Sequence, residues 1–227
     1  MYQQELDLAH ARRLAAQYPD HCFYQGNGSR LEIALTFSDG PASTTAPLLD
    51  LLRLHQTPAT FFWQGNLLAG NQQLLRQILA DGHTVGSHTW DHVRASSLSV
   101  TDFWQEQIQR TDQEFQRLAH LRPRLFRPPY AELTTEQLRM LVRHDFRIMG
   151  WSIDPRNWEN PDTPGHVERV IETVLRQIHP QAIIMLHEGP TNMHNVVEIV
   201  EQLIPALKSR GYRFVNADRL TGVRAYA

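Results

Sequence analysis

Two residue patterns alternate along the chain. Short runs of apolar, β-branched and aromatic residues occur at 31–37 (LEIALTF), 58–63 (PATFFW), 83–87 (HTVGS), 124–127 (RLFR), 146–153 (FRIMGWSI), 182–187 (AIIMLH) and 212–216 (YRFVN). Their length and side-chain types predict buried strands. Between them, the segments 45–55, 71–80, 101–119, 164–178 and 195–208 carry apolar residues at helical spacing. In 164–178, Val167, Val170, Ile171, Val174, Leu175 and Ile178 share one face; Thr163 is placed as N-cap and Pro164 at the first helical position. Thr134 and Gln137 form a capping-box pattern ahead of Leu138, Leu141 and Val142. Gly82 and Gly211 stand where helix C-caps are expected, and Pro205 predicts a kink. Strand–helix alternation predicts an α/β fold of parallel βαβ units. A closed barrel and an open doubly wound sheet both fit that pattern. Residues 1–30 read as an N-terminal helix and a connector on the outside, leaving 31–227 as the main domain.

The composition narrows the class. A chain of 227 residues, 41% hydrophobic and 20% charged, suits one domain with a substantial core. A formal net charge of -2 argues against a nucleic-acid or polybasic membrane surface. Cys22 is the only cysteine, so neither an internal disulfide nor a thiolate metal cluster is expected. No apolar run reaches the length of a membrane span. The N-terminus carries acidic residues early and lacks an uninterrupted apolar stretch, so no signal peptide is read there. A monomer is expected, and the compartment is left open.

Polar residues with chemical potential gather where the predicted strands end. Ser38 and Asp39 follow the first; His88 and His92 the third; Arg127 and Tyr130 the fourth; Asp154, Asn157 and Trp158 the fifth; His187 and Glu188 the sixth. In parallel α/β folds that is the face where active sites form. Two imidazoles and a carboxylate, His88, His92 and Asp39, suit Zn²⁺ or a similar divalent ion and leave positions open for ligands. The four-residue spacing in HTWDH predicts both rings on one side of a helical turn; with 12 histidines in the chain, a chance pair of loop histidines is the alternative. In RPPY, Pro128 and Pro129 stiffen a turn that aims Arg127 and the following N–H groups. His187 is read as a general acid or as a satisfied core histidine. Asp154 is read as orienting a neighbouring base or arginine, or as capping the next turn. Trp158 and Trp63, both at strand ends, are candidate sugar-stacking surfaces. The remaining histidines, His83 and His166 among them, are expected on the surface or at helix ends.

The stretches LTFSDGP, GSHTWDH, RLFRPPYAEL, WSIDPRNW and IIMLHEGP resemble, in order and spacing, the five successive motifs of the polysaccharide deacetylases, the NodB-homology enzymes of carbohydrate esterase family 4. The flanking LLDLLRLHQTPATFFWQGN, LLRQILADGHTVG and LKSRGYRFV are similar too, so the resemblance spans roughly residues 31 to 220. It implies a distorted (β/α) barrel of about seven parallel strands. It implies metal-dependent hydrolysis of N-acetyl groups on an amino-sugar polymer or oligomer, or of O-acetyl groups as on xylan. Asp39, His88 and His92 would hold Zn²⁺, or Co²⁺, Ni²⁺ or Mn²⁺ in its place. Arg127 would orient the base and His187 would be the general acid. Trp158 and Met185 would shape the acetyl pocket with the rigid Pro129 turn, and the backbone N–H of Tyr130 would bind the oxyanion. Relatives of this kind are often secreted or in the cell envelope. Chitooligosaccharide, peptidoglycan, poly-N-acetylglucosamine and acetylxylan are all substrates of this class, and the short loops between motifs suggest an open groove.

The chain departs from the family pattern at the position of greatest consequence. The first motif normally has two aspartates, a general base and then a metal ligand; here the first is Ser38. A serine hydroxyl is not basic at neutral pH, and a base of this kind contributes about 10²–10⁴-fold in rate. Asn157 stands where an aspartate commonly tunes the acid histidine, Ala131 replaces a usual glycine, and Glu188 stands where aspartate is common. Three readings of Ser38 follow. It is an introduced replacement in an otherwise complete deacetylase. Alternatively, Glu188, Asp91 or the metal unaided serves the proton transfer. Or the chain is a catalytically silent carbohydrate-binding module.

Overall fold

The computed structural model describes residues 13, 15–189 and 194–227; the predicted N-terminal helix lies largely outside them. All seven expected strands are present: β2 (Glu32–Gly40), β3 (Thr60–Trp63), β4 (Thr84–Ser87), β5 (Leu125–Phe126), β6 (Arg147–Met149), β7 (Ile183–His187) and β8 (Arg213–Phe214). An eighth, β1 (Cys22–Phe23), falls in the stretch expected to lie outside. All ladder pairs are parallel, in the order β1-β6-β5-β4-β3-β2-β7, with β8 added to β2.

The ends of this sheet approach each other, making the barrel distorted rather than open. At one level β1 pairs with β6 while Gln25 bridges Ala182. One level higher the chain leaving β6 takes over, and Ile153 bridges Ile184. The predicted strand 146–153 is therefore interrupted: it serves β5 and β1 first, and β7 after a break at Gly150. A Cβ at Gly150 would lie 2.4 Å from the Tyr24 ring.

Seven α-helices of five residues or more occur among the described residues: α1 (Thr45–Leu54), α2 (Gln72–Ala80), α3 (Arg110–Ala119), α4 (Thr135–Arg143), α5 (His166–Gln177), α6 (Val196–Ser209) and α7 (Ala217–Thr221). Strand alternation sorts the apolar residues between two faces. Ile33, Leu35, Phe37, Phe61, Val85, Ile184 and Leu186 meet the helices in the largest core cluster. Ala34, Ile183 and Met185 belong to a smaller inner cluster, and Phe62, Leu125 and Met149 to another. Each fully buried Leu, Ile or Phe contributes about 1.5–3 kcal/mol, so the outer layer dominates stability.

Local signals held in part. The capping box is present in both directions, Thr134 Oγ1 accepting from the Gln137 N–H and Gln137 Oε1 from the Thr134 N–H. Gly82 and Gly211 adopt φ of 78° and 85° just past α2 and α6. Helix α5 starts later than predicted: Gly165, at φ 77°, is the N-cap in place of Thr163. Helix α6 runs through Pro205 as one element. Helix 101–119 is not uniform: a turn at Val100–Asp102 leads into a π-helical stretch, Phe103–Gln109, before α3.

Removing the cap hydroxyl in Thr134→Ala should lower the unfolding free energy by about 1 kcal/mol in urea titration. Gln137→Ala should cost more, because Gln137 Nε2 also donates to the carbonyls of Ala95 and Leu98 at 2.7 and 3.3 Å.

Candidate active site

The site begins with an irregularity in β2. Ser38 continues the inner face, and simple alternation would turn Asp39 outward with Phe37. Instead the pairing with β3 shifts register between Ser38 and Gly40, and Asp39 takes φ 74°. Such a bulge re-aims one side chain, so two neighbours in sequence both reach the barrel mouth. Asp39 thus lies within the strand, not in the turn after it. Gly189 leaves the space, since a Cβ there would lie 2.8 Å from that of Asp39.

Asp39 Oδ1 lies 3.0 Å from His88 Nε2 and 3.2 Å from His92 Nε2. The three donor atoms fall within 4.8 Å of one another. The two rings converge without a helical turn. Residues 88–92 form a loop in which Thr89 and His92 take φ of 66° and 62°, and the Thr89 hydroxyl accepts from the His92 N–H at 3.1 Å. His88 Nδ1 lies 2.7 Å from the Arg127 carbonyl, which only accepts, so Nδ1 carries the proton. Burial pushes the His88 imidazole down, against the pull of Asp39. In its neutral form the Nε2 lone pair then faces a carboxylate oxygen. For Asp39, burial opposes ionisation, but hydrogen bonds from His88 and His92 hold the carboxyl well below its usual range. A cation between these three atoms reconciles both demands, and the N₂O donor set fits Zn²⁺.

Arg127 is fully buried behind Ser38. Its Nη1 donates to Ser38 Oγ at 3.1 Å, Nε to the Met149 carbonyl at 3.0 Å and Nη2 to the Gly150 carbonyl at 3.1 Å. Its guanidinium also lies 4.1 Å from the Phe62 ring centroid. Burial pushes it down to about 9, against the pull of Asp39 and Asp154. Among the described residues it forms no ion pair. Asp154 turns its Oδ1 to the Arg156 N–H at 2.9 Å, the capping role, and acts on Arg127 and His187 through charge alone.

His187 sits beside Ser38 on β7. Asn157 brackets it: Oδ1 accepts from the His187 N–H at 3.0 Å and lies 3.3 Å from Nδ1, while Nδ2 donates to the His187 carbonyl at 2.9 Å. Burial lowers the imidazole, and the pull of Asp39 and Asp154 does not restore it. Trp158 meets His187 edge-on at 6.4 Å, and Met185 lies in one buried cluster with Ala131 and Trp151. Pro129 is buried in the turn Pro129–Ala131. Tyr130 there takes φ 58°, its ring 4.9 Å from His92 and 4.1 Å beneath the Arg94 guanidinium, which Glu132 holds at 2.8 Å. Arg94 lies outside the five motifs and Glu132 within the third without a role read for it; only the fold brings the two together beside Tyr130.

The family model described as polysaccharide deacetylase matches residues 25–149. A peptidoglycan-N-acetylglucosamine deacetylase of Bacillus cereus is 34% identical over 83% of this chain and 87% of its own length. The chain belongs to the polysaccharide deacetylase family. A chitooligosaccharide deacetylase of Bradyrhizobium is 33% identical over 82% of the chain and 88% of its own length. The crystal structure of a peptidoglycan N-acetylglucosamine deacetylase superposes with a TM-score of 0.87 at 28% identity, covering 93% of this chain and 98% of that one. These relatives are hydrolases of N-acetyl amides on glycans, and the deacetylase barrel is the fold found here.

Other expectations for this deacetylase-family site need correction. Trp63 cannot stack on a sugar: it lies on the outer face of β3, is fully buried, and donates its indole N–H to Glu188 Oε1 at 2.7 Å. Glu188 accepts a second bond from the Thr45 hydroxyl at 2.6 Å, so its carboxylate faces α1 rather than the mouth. Asp91 is exposed on the outside of the metal loop. Neither carboxylate is turned toward Ser38. His83 and His166 are buried; His83 Nδ1 accepts from the Ala59 N–H, a structural role.

Burial raises Glu188 from 4.5 to about 7, against the hydrogen bonds of Thr45 and Trp63. The folded protein therefore binds this proton more tightly than the unfolded chain, and stability falls as pH rises from about 4.5 to about 7. Between pH 5 and 8 the loss attributable to Glu188 should be on the order of 2–3 kcal/mol. Glu188→Gln should remove it, read as the pH-dependent difference in unfolding free energy between the two metal-free chains.

Proposed function

We propose that this chain binds an acetylated amino-sugar chain or oligomer at a divalent-metal site built for N-acetyl hydrolysis, with turnover held low by Ser38. The observation that carries this reading is the contact of Arg127 Nη1 with Ser38 Oγ at 3.1 Å. A buried guanidinium is poised to hold a carboxylate and meets a hydroxyl instead. Peptidoglycan or chitooligosaccharide is the substrate class, in line with the relatives above.

Amide hydrolysis needs a proton removed from the attacking water, charge stabilised on the acetyl oxygen, and a proton delivered to the leaving nitrogen. A divalent ion held by Asp39, His88 and His92 would supply Lewis acidity. Tyr130 offers its backbone N–H to the acetyl oxygen, and Trp158 and Met185 enclose the methyl group. His187 delivers the proton to the amine, an unstable leaving group until protonated. Ser38 occupies the position of the proton acceptor and cannot fill that role at neutral pH.

Replacing Ser38→Asp should raise acetate release from chitooligosaccharides or peptidoglycan fragments about 10²–10⁴-fold with Zn²⁺ present. No gain, or activity of the unaltered chain within tenfold of the aspartate form, would overturn the reading. His88→Ala should abolish stoichiometric Zn²⁺ binding in calorimetry, independent of activity.

Asn157 supplies an acceptor to His187 but no charge. Asn157→Asp should raise the His187 titration midpoint by about 1–3 units in an NMR titration. In the Ser38→Asp background it should extend activity toward higher pH.

A further inference from the structure

The stretch Phe103–Gln109 is π-helical and buries Phe103, Gln107 and Ile108. Such turns insert a residue and recur at functional sites. Here the stretch directs Gln107, only 5% exposed, toward the loop that carries the two histidines. Gln107 Oε1 accepts from the Trp90 N–H at 2.9 Å and from the Asp91 N–H at 3.4 Å. These are two of the three residues between His88 and His92. The opposite side of the loop is also held: the Gly65 N–H donates to the Thr89 carbonyl and the Asn66 N–H to the Trp90 carbonyl, both at 2.9 Å. The π stretch is tied down in turn, because the Thr111 hydroxyl donates to the Gln107 carbonyl at 2.7 Å. The fit is close, since a Cβ on Gly65 would meet both Thr111 Oγ1 and the Trp90 ring at 2.6 Å.

The loop needs such a grip. Thr89 and His92 both take positive φ without being glycine, and each such residue costs on the order of 1–3 kcal/mol. Released from its outer clamp, the loop would relax and carry the His92 ring away from Asp39. We propose that Gln107 is a positioning residue for the metal ligands, holding the His88–His92 loop in the conformation that points both imidazoles at Asp39. This rests on the reading that Asp39, His88 and His92 hold a divalent ion.

The test is calorimetric titration of the metal-free protein with Zn²⁺ and with Co²⁺. Gln107→Met, similar in volume but without the acceptor, should weaken both affinities about 10–100-fold. Gln107→Glu keeps the acceptor and should bind as the unaltered chain does or tighter. Leu118→Ala destabilises α3 through a cavity without touching the loop, and should leave affinity unchanged despite a lower Tm. Hydrogen exchange on the unaltered chain needs no variant to fold, and should show the Trp90 and Asp91 amides protected. Unchanged affinity in Gln107→Met, an equal loss in Leu118→Ala, or unprotected amides would overturn the proposal. If the unaltered chain binds neither ion, the metal reading itself fails and the proposal with it. Equal affinity of the unaltered and Met forms sinks the proposal alone.

Discussion

The site depends on one extra residue in one strand. Without the bulge at Asp39, β2 would offer Ser38 to the mouth and send the carboxylate into the helical layer. With it, adjacent residues serve two purposes: Ser38 faces Arg127 and His187, and Asp39 faces the two imidazoles. The bulge is held by small residues and by a buried brace. A Cβ on Gly40 would lie 2.0 Å from Glu188 Oε1, and Glu188 is itself pinned by Trp63 and Thr45. Residues from β3, α1 and the segment after β7 therefore hold one backbone irregularity in place.

Charge arrangement follows from that geometry. Asp39 and Asp154 each pull on both Arg127 and His187. Buried charges are costly unless paired and hydrogen-bonded. Arg127 meets that demand with two carbonyls, a hydroxyl and an aromatic face.

The resemblance read from five motifs placed the fold, and the structure brings Asp39, His88 and His92 together. The strand and helix periods were legible because buried faces impose them locally: β2, β3 and β7 appear where apolar runs predict them, and the Thr134–Gln137 capping box is present as read. The errors share a cause. The stretch Cys22–Phe23 is too short to carry a period, and it became a strand because β6 had an open edge. Trp63 looked like a binding residue because it ends a strand, but its parity faces the helices. The HTWDH spacing suggested a helical turn, whereas a clamped loop with positive φ at Thr89 and His92 makes the rings converge.

By itself, the sequence determined the residue types of the chemistry and their order at strand ends, including the serine where the family has a base. The residue types and their places follow from local composition and spacing; that a base belongs where Ser38 stands is implied by the family resemblance alone. Tertiary structure alone decided which face each side chain took, that Glu188 turns away from the mouth, and that Arg94, Glu132 and Gln107 surround the metal loop. Such assignments depend on register shifts, on αL residues and on contacts between segments far apart in the chain, none of which has a local signature.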